Sequence, residues 1–232
     1  MWIKRPKVEE LIETQIKSWF SSFRRQEAKR KWRPPILISR QRESLGEKVA
    51  ELLSERLNWP LYDKELLEEV SKTLKEDPKK LQAFDEKARN LLLEFAQAFL
   101  GSRSLLQEEY VHHLKRFVKW LGVTGNCVVV GRGANFVIDP ARALRIRIIG
   151  RPKGWEKAFS EAFGIKEEEA EIKAKEMNEE QEEFIKRYFD ADVSDPSHYD
   201  LVINMDHYDW QKASEMVLTA YKLKFPWVNI TG

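Results

Sequence analysis

The feature that most constrains the fold is a set of short β-type apolar runs separated by long stretches of helical periodicity. "ILIS" at 36–39 is followed by a helical stripe of Val49, Leu52, Leu53 and Leu57, with Asn58 as a C-terminal stop and an extended "WPLYD" after it. Residues 64–120 read as mostly helical, including "ARNLLLEFAQAFL" and "EEYVHHLKRFVKWL". Three further runs then come in turn: "NCVVVGRGANFVI", "ALRIRIIG" and "YDLVINMD". A highly charged helical region at 154–190 separates the last two, and "DWQKASEMVLTAYKLKF" closes the chain. Near-continuous apolar strands suit a sheet buried on both faces, and helices between strands make that sheet parallel. In "ALRIRIIG", Arg145 and Arg147 alternate with Leu144, Ile146 and Ile148, which predicts an edge or half-exposed strand.

The turn after the first strand is the first place to look for chemistry. A phosphate-cradling turn uses glycines so that main-chain amides can converge, a lysine that reaches the β- and γ-phosphates, and Ser or Thr for magnesium. Here the turn reads Arg40, Gln41, Arg42, Glu43, Ser44, Leu45, Gly46, Glu47, Lys48. One glycine and no Gly-Lys-Ser/Thr leave two readings open, a nucleotide site or an ordinary α/β turn.

Ahead of the strands lies an arm, residues 1–35. Val8, Leu11, Ile12, Ile16, Trp19, Phe20 and Phe23 fall on one helical face, and a basic end follows before Pro34 and Pro35. Such a helix suits docking on the body, on a second subunit or on another partner. Its basic end could also meet a membrane surface or nucleic acid, although nothing in it reads base edges, so sequence-specific nucleic-acid binding is not expected. No apolar run reaches the ~18–20 residues of a membrane span. A net charge of +2 selects no partner class. The lone Cys127, set in "CVVV", reads as a buried thiol and suggests a reducing compartment, with the cytoplasm as the expected location. His112 and His113 are adjacent on a helix and point apart, and the spacing of His198 and His207 fits no metal-ligand pattern.

From 36 to about 222 the chain resembles the cytidylate kinase-like family of nucleoside monophosphate kinases. The residues that carry the likeness are "ISRQRESLGEKVAELLSERLNWPLYDKELL", "FDEKARN", "EEYVHHLKRFVKWLGVTGNCVVVGRGANFVI" and "DPSHYDLVIN". The resemblance implies an α/β P-loop NTPase three-layer fold with a parallel five-stranded sheet and helices on both faces. It implies a kinase-like domain over 36–232, with a helical monophosphate-binding region at 60–120 and a lid at 153–190. Such proteins move the γ-phosphoryl group of ATP, with Mg²⁺, to a nucleoside monophosphate such as CMP, mainly by positioning and charge neutralisation. By that likeness Ser39, Arg40, Arg42, Ser44, Gly46 and Lys48 would hold the donor phosphates. Tyr62, Asp63 and Arg132 would address the acceptor nucleotide. Arg132, Lys157 and Lys48 would serve catalysis.

The chain also departs from the family pattern. Glu43 and Leu45 stand where glycines are usual, and Glu47 where arginine is usual. Asn178 and Gln181 occupy lid positions near which the family places an aspartate and an arginine. Residues 166–187 carry nine glutamates against five cations, an acidic balance ill suited to closing over a triphosphate. Two functional classes therefore stand: a nucleoside monophosphate kinase of weakened activity, or a catalytically inactive kinase-fold binding or assembly module.

Overall fold

In the computed structural model, residues 31–63, 90, 93–94 and 108–230 are described. Most of the 1–35 arm and much of the 60–120 region, including all of "FDEKARN" but Asn90, lie outside them. Five strands form one sheet: β1 (Ile36–Arg40), β2 (Leu61–Tyr62), β3 (Val128–Val130), β4 (Leu144–Ile149) and β5 (Leu201–Asn204). Their order is β2-β3-β1-β4-β5 and every pairing is parallel. The α/β fold with a five-stranded parallel sheet expected from the resemblance is present.

Helices cover both faces. The side chains of Ile36, Ile38, Val128, Val130, Leu144, Ile146 and Ile148 meet α1 (Gly46–Leu57) and the closing helix, Trp210–Lys224. On the opposite face Leu37 and Val129 pack against α2 (Glu108–Thr124). A short helix, α3 (Ala134–Val137), follows β3. Helices α4 (Trp155–Phe163) and α5 (Ala170–Phe189) form a charged hairpin between β4 and β5, and Trp210–Lys224 is α6. Helix α1 buries Val49, Ala50, Leu53 and Leu57 along one stripe, as its period requires. It ends at Asn58, which takes a left-handed conformation (φ 50°) and donates its N–H to the carbonyls of Glu55 and Ser54.

Gly46 opens α1 for a steric reason. A Cβ there would stand 2.8 Å from the Cβ of Arg40 and 3.3 Å from that of Ile148. Only a residue without a side chain lets the helix start so close to the ends of β1 and β4.

The half-exposed reading of "ALRIRIIG" is corrected. β4 is an interior strand between β1 and β5, and Arg147 is 6% exposed. The alternation was misleading because both arginines have partners brought by distant strands. Arg145 pairs with Asp200 at 3.1 Å. Arg147 donates to the Ser39 hydroxyl at 2.7 Å. The edge position next to β4 belongs to β5, where Val202 is exposed.

Candidate functional site

In a parallel α/β sheet, ligands meet the C-terminal ends of the strands where neighbouring connections diverge. In this chain those ends carry Ser39 and Arg40 on β1, the Gly131–Gly133 turn after β3, and Arg147 on β4. The chain leaves β1 through a single 3-10 turn, Arg42–Ser44, passes Leu45 in a left-handed conformation (φ 56°), and enters α1 at Gly46. A leucine in that region of backbone space is strained, so surrounding contacts must hold it. Those contacts come from the hairpin: Leu45 is buried with Trp155 and Phe159 of α4 and Ala170 and Ala174 of α5.

Several of the turn's polar side chains are committed within the protein. The Arg40 Nε donates to Glu47 Oε1 at 2.8 Å, and its Nη1 donates to Gln181 Oε1 at 3.0 Å. Arg42 Nη1 donates to the same Glu47 oxygen at 3.1 Å. Burial by itself would raise the Glu47 carboxyl, but the two guanidinium groups outweigh it and hold the carboxyl below its usual range. The Ser44 hydroxyl, fully buried, donates back to the Gln41 carbonyl at 2.7 Å. Asn178 closes the hairpin onto the turn through both ends of its amide. Its Oδ1 accepts from the main-chain N–H of Arg42 at 3.0 Å, and its Nδ2 donates to Glu43 Oε2 at 2.7 Å. Arg151 adds a second tie, 2.9 Å from Glu171 on α5 and 3.9 Å from Glu43.

The structure thus gathers Ser39, Arg40, Arg42, Ser44 and Gly46 around one strand end. Of the remaining site residues, the Arg132 turn lies beside this group, with Gly131 near the Arg40 guanidinium, and the other side chains are engaged elsewhere. Lys48 lies over the Trp210 ring of α6, 4.7 Å from its centroid. Tyr62 packs edge-on against Phe117 in the core, and Asp63 follows it, half-buried. Arg132 sits in the turn after β3 with φ 57°, its guanidinium 5.9 Å from the Tyr110 ring centroid. Lys157 is exposed on α4.

Two residues of this region were not singled out as site residues from the sequence. Arg147 and Tyr199 both meet Ser39: the tyrosine hydroxyl is 3.4 Å from Ser39 Oγ and donates to the Val193 carbonyl at 2.7 Å. Burial pushes the Tyr199 phenol up, against the contrary pull of its Ser39 contact. The signal available was the arginine at 147, a charge inside an otherwise apolar strand run.

The model of the cytidylate kinase-like family matches residues 35–207. No curated protein matches the sequence. Among solved structures, the crystal structure of an uncharacterized protein from Eubacterium ventriosum ATCC 27560 is similar, with a TM-score of 0.60. It is 23% identical and the match covers 82% of this chain and 99% of that one, a likeness of fold.

Proposed function

Since the chain belongs to the cytidylate kinase-like family, we propose that it keeps the nucleotide-kinase fold as a module that binds phosphate-bearing ligands and transfers phosphoryl groups poorly. The observation that carries this reading is the Glu47 carboxylate, 2.8 Å from Arg40 and 3.1 Å from Arg42. Phosphoryl transfer depends on positive charge placed where the transition state develops negative charge. In this chain a carboxylate holds Arg40 and Arg42, and the amide side chains of Asn178 and Gln181 hold the hairpin over the turn.

A second reading is a working kinase that passes the ATP γ-phosphoryl to a nucleoside monophosphate such as CMP. It is favoured by the grouping of Ser39, Arg40, Ser44 and Gly46 at the end of β1, beside the Arg132 turn. As arranged here these residues do not fit a magnesium triphosphate, because the Ser44 hydroxyl is turned back to Gln41 and the turn's cations face Glu47. That reading requires the turn and the hairpin to separate first.

The test joins binding to turnover. Thermal unfolding with ATP-Mg²⁺ and with each nucleoside monophosphate measures binding, since a ligand at 100 times its Kd stabilises by ~2.7 kcal/mol. Stabilisation with no product nucleotide above background is expected. Turnover in the ~1–100 per second range seen for kinases would establish the second reading, and the lack of any shift with any nucleotide would remove both.

A further inference from the structure

Arg147 is a buried charge with few partners. Its side chain rises from β4 on the sheet face opposite α1, in register with Ser39 of β1. It is 6% exposed. A guanidinium carries five N–H donors. Here one hydrogen bond is made, from Nη1 to the Ser39 hydroxyl, and the buried Nε has no acceptor. No carboxylate among the described residues comes within ion-pair distance. Glu43 and Glu182 act on Arg147 only over longer range, while the like charge of Arg40 opposes it. Burying a cation is costly unless an anion and hydrogen bonds offset the lost hydration. Apolar residues of similar volume usually serve a core better, so an arginine at this depth with a hydroxyl but no anion beside it points to something it receives.

We infer that Arg147, held by Ser39, is the seat for a phosphate group of a bound ligand, on the sheet face at the ends of β1 and β4 and apart from the amide turn. The neighbouring chemistry suits that ligand. Arg147 presents a planar fork with most of its donors unused, which matches two oxygens of one phosphate. Tyr199 closes the other side of Ser39, and its hydroxyl is fixed by the Val193 carbonyl. A doubly charged oxyanion would answer both Arg147 and the repulsion from Arg40. This rests on the phosphate-ligand reading proposed above, and it names a residue which that reading does not use.

The experiment compares the wild-type chain with Arg147→Met and Arg147→Lys. Each is titrated with inorganic phosphate, CMP and cytidine at matched ionic strength, by calorimetry and thermal unfolding. Phosphate and CMP should bind the wild type and cytidine should not, which separates the phosphate from the base as the recognised group. Arg147→Met should weaken phosphate and CMP about tenfold or more while unfolding at the same temperature as the ligand-free wild type or higher. Arg147→Lys keeps the charge but loses the fork, and should weaken them several-fold; it carries the test if the Met variant does not fold. Unchanged affinity in either folded variant overturns the inference, as does an Arg147→Met protein that is less stable with affinity intact, since that marks a structural arginine. Nucleotides that stabilise wild type and Arg147→Met alike would remove this seat and leave the nucleotide reading standing. Stabilisation by inorganic phosphate alone, dependent on Arg147, would keep the seat and remove the nucleotide reading. Stabilisation by none of them overturns both.

Discussion

Replacing Glu47 by glutamine tests whether that carboxylate suppresses anion binding at the turn. The change keeps the side chain's shape and removes one negative charge from a position 2.8 Å from Arg40 and 3.1 Å from Arg42. A phosphate gathered by those arginines would lie roughly 6 Å from the carboxylate. At an effective dielectric near 20 the repulsion per unit charge at that separation is about 3 kcal/mol. Glu47 is 36% exposed, so solvent screening reduces this to about 1.4 kcal/mol, or tenfold in affinity.

Calorimetric titration with tripolyphosphate and with ATP should therefore show about tenfold tighter binding to Glu47→Gln than to wild type. The variant should also lose about 1–2 kcal/mol of stability, because the amide oxygen still accepts from the two buried arginines but no longer carries the charge that strengthens those bonds. The pH dependence has a fixed sign. The folded carboxyl is held below its ordinary value of 4.5, so its contribution is complete above that pH and disappears as pH falls through the lowered value. The stability gap between wild type and variant should close in that acidic window. If a folded Glu47→Gln protein binds tripolyphosphate no better than wild type, the carboxylate is not what limits the site.

Asn178→Ala removes the two bonds that its amide makes to the turn and leaves the one from Arg40 to Gln181. It should cost about 1–2 kcal/mol and raise amide exchange across 155–189 before global unfolding; exchange confined to the rest of the chain would show that the remaining ties, Leu45, Gln181 and Arg151, hold the hairpin without it. Leu53→Ala empties a fully buried site between α1 and the sheet. It should cost about 2–5 kcal/mol in chemical denaturation, and a loss below 1 kcal/mol would contradict the packing described.

Much of the architecture can be read locally. Parallel strands buried on both faces need apolar residues at nearly every position, so "ILIS" and "CVVV" mark themselves without reference to the rest of the chain. The α1 stripe and the Asn58 stop are likewise set by neighbours within two turns of helix. The candidate site was legible in part. Ser39, Arg40, Ser44 and Gly46 are consecutive enough that one strand-turn-helix unit must bring them together.

What the chain alone could determine was the set of elements, their parallel arrangement and the oddity of a glutamate at 47 in a basic turn. The tertiary structure decided that β4 lies inside the sheet, that Asn178 closes on Arg42 and Glu43 across 136 and 135 residues, and that Arg147 meets Ser39 across 108. The physical reason is one of range. Periodicity and turn chemistry act over a few residues. The partner of a buried charge is chosen by strand order and helix packing, which bring together groups with no relation along the chain.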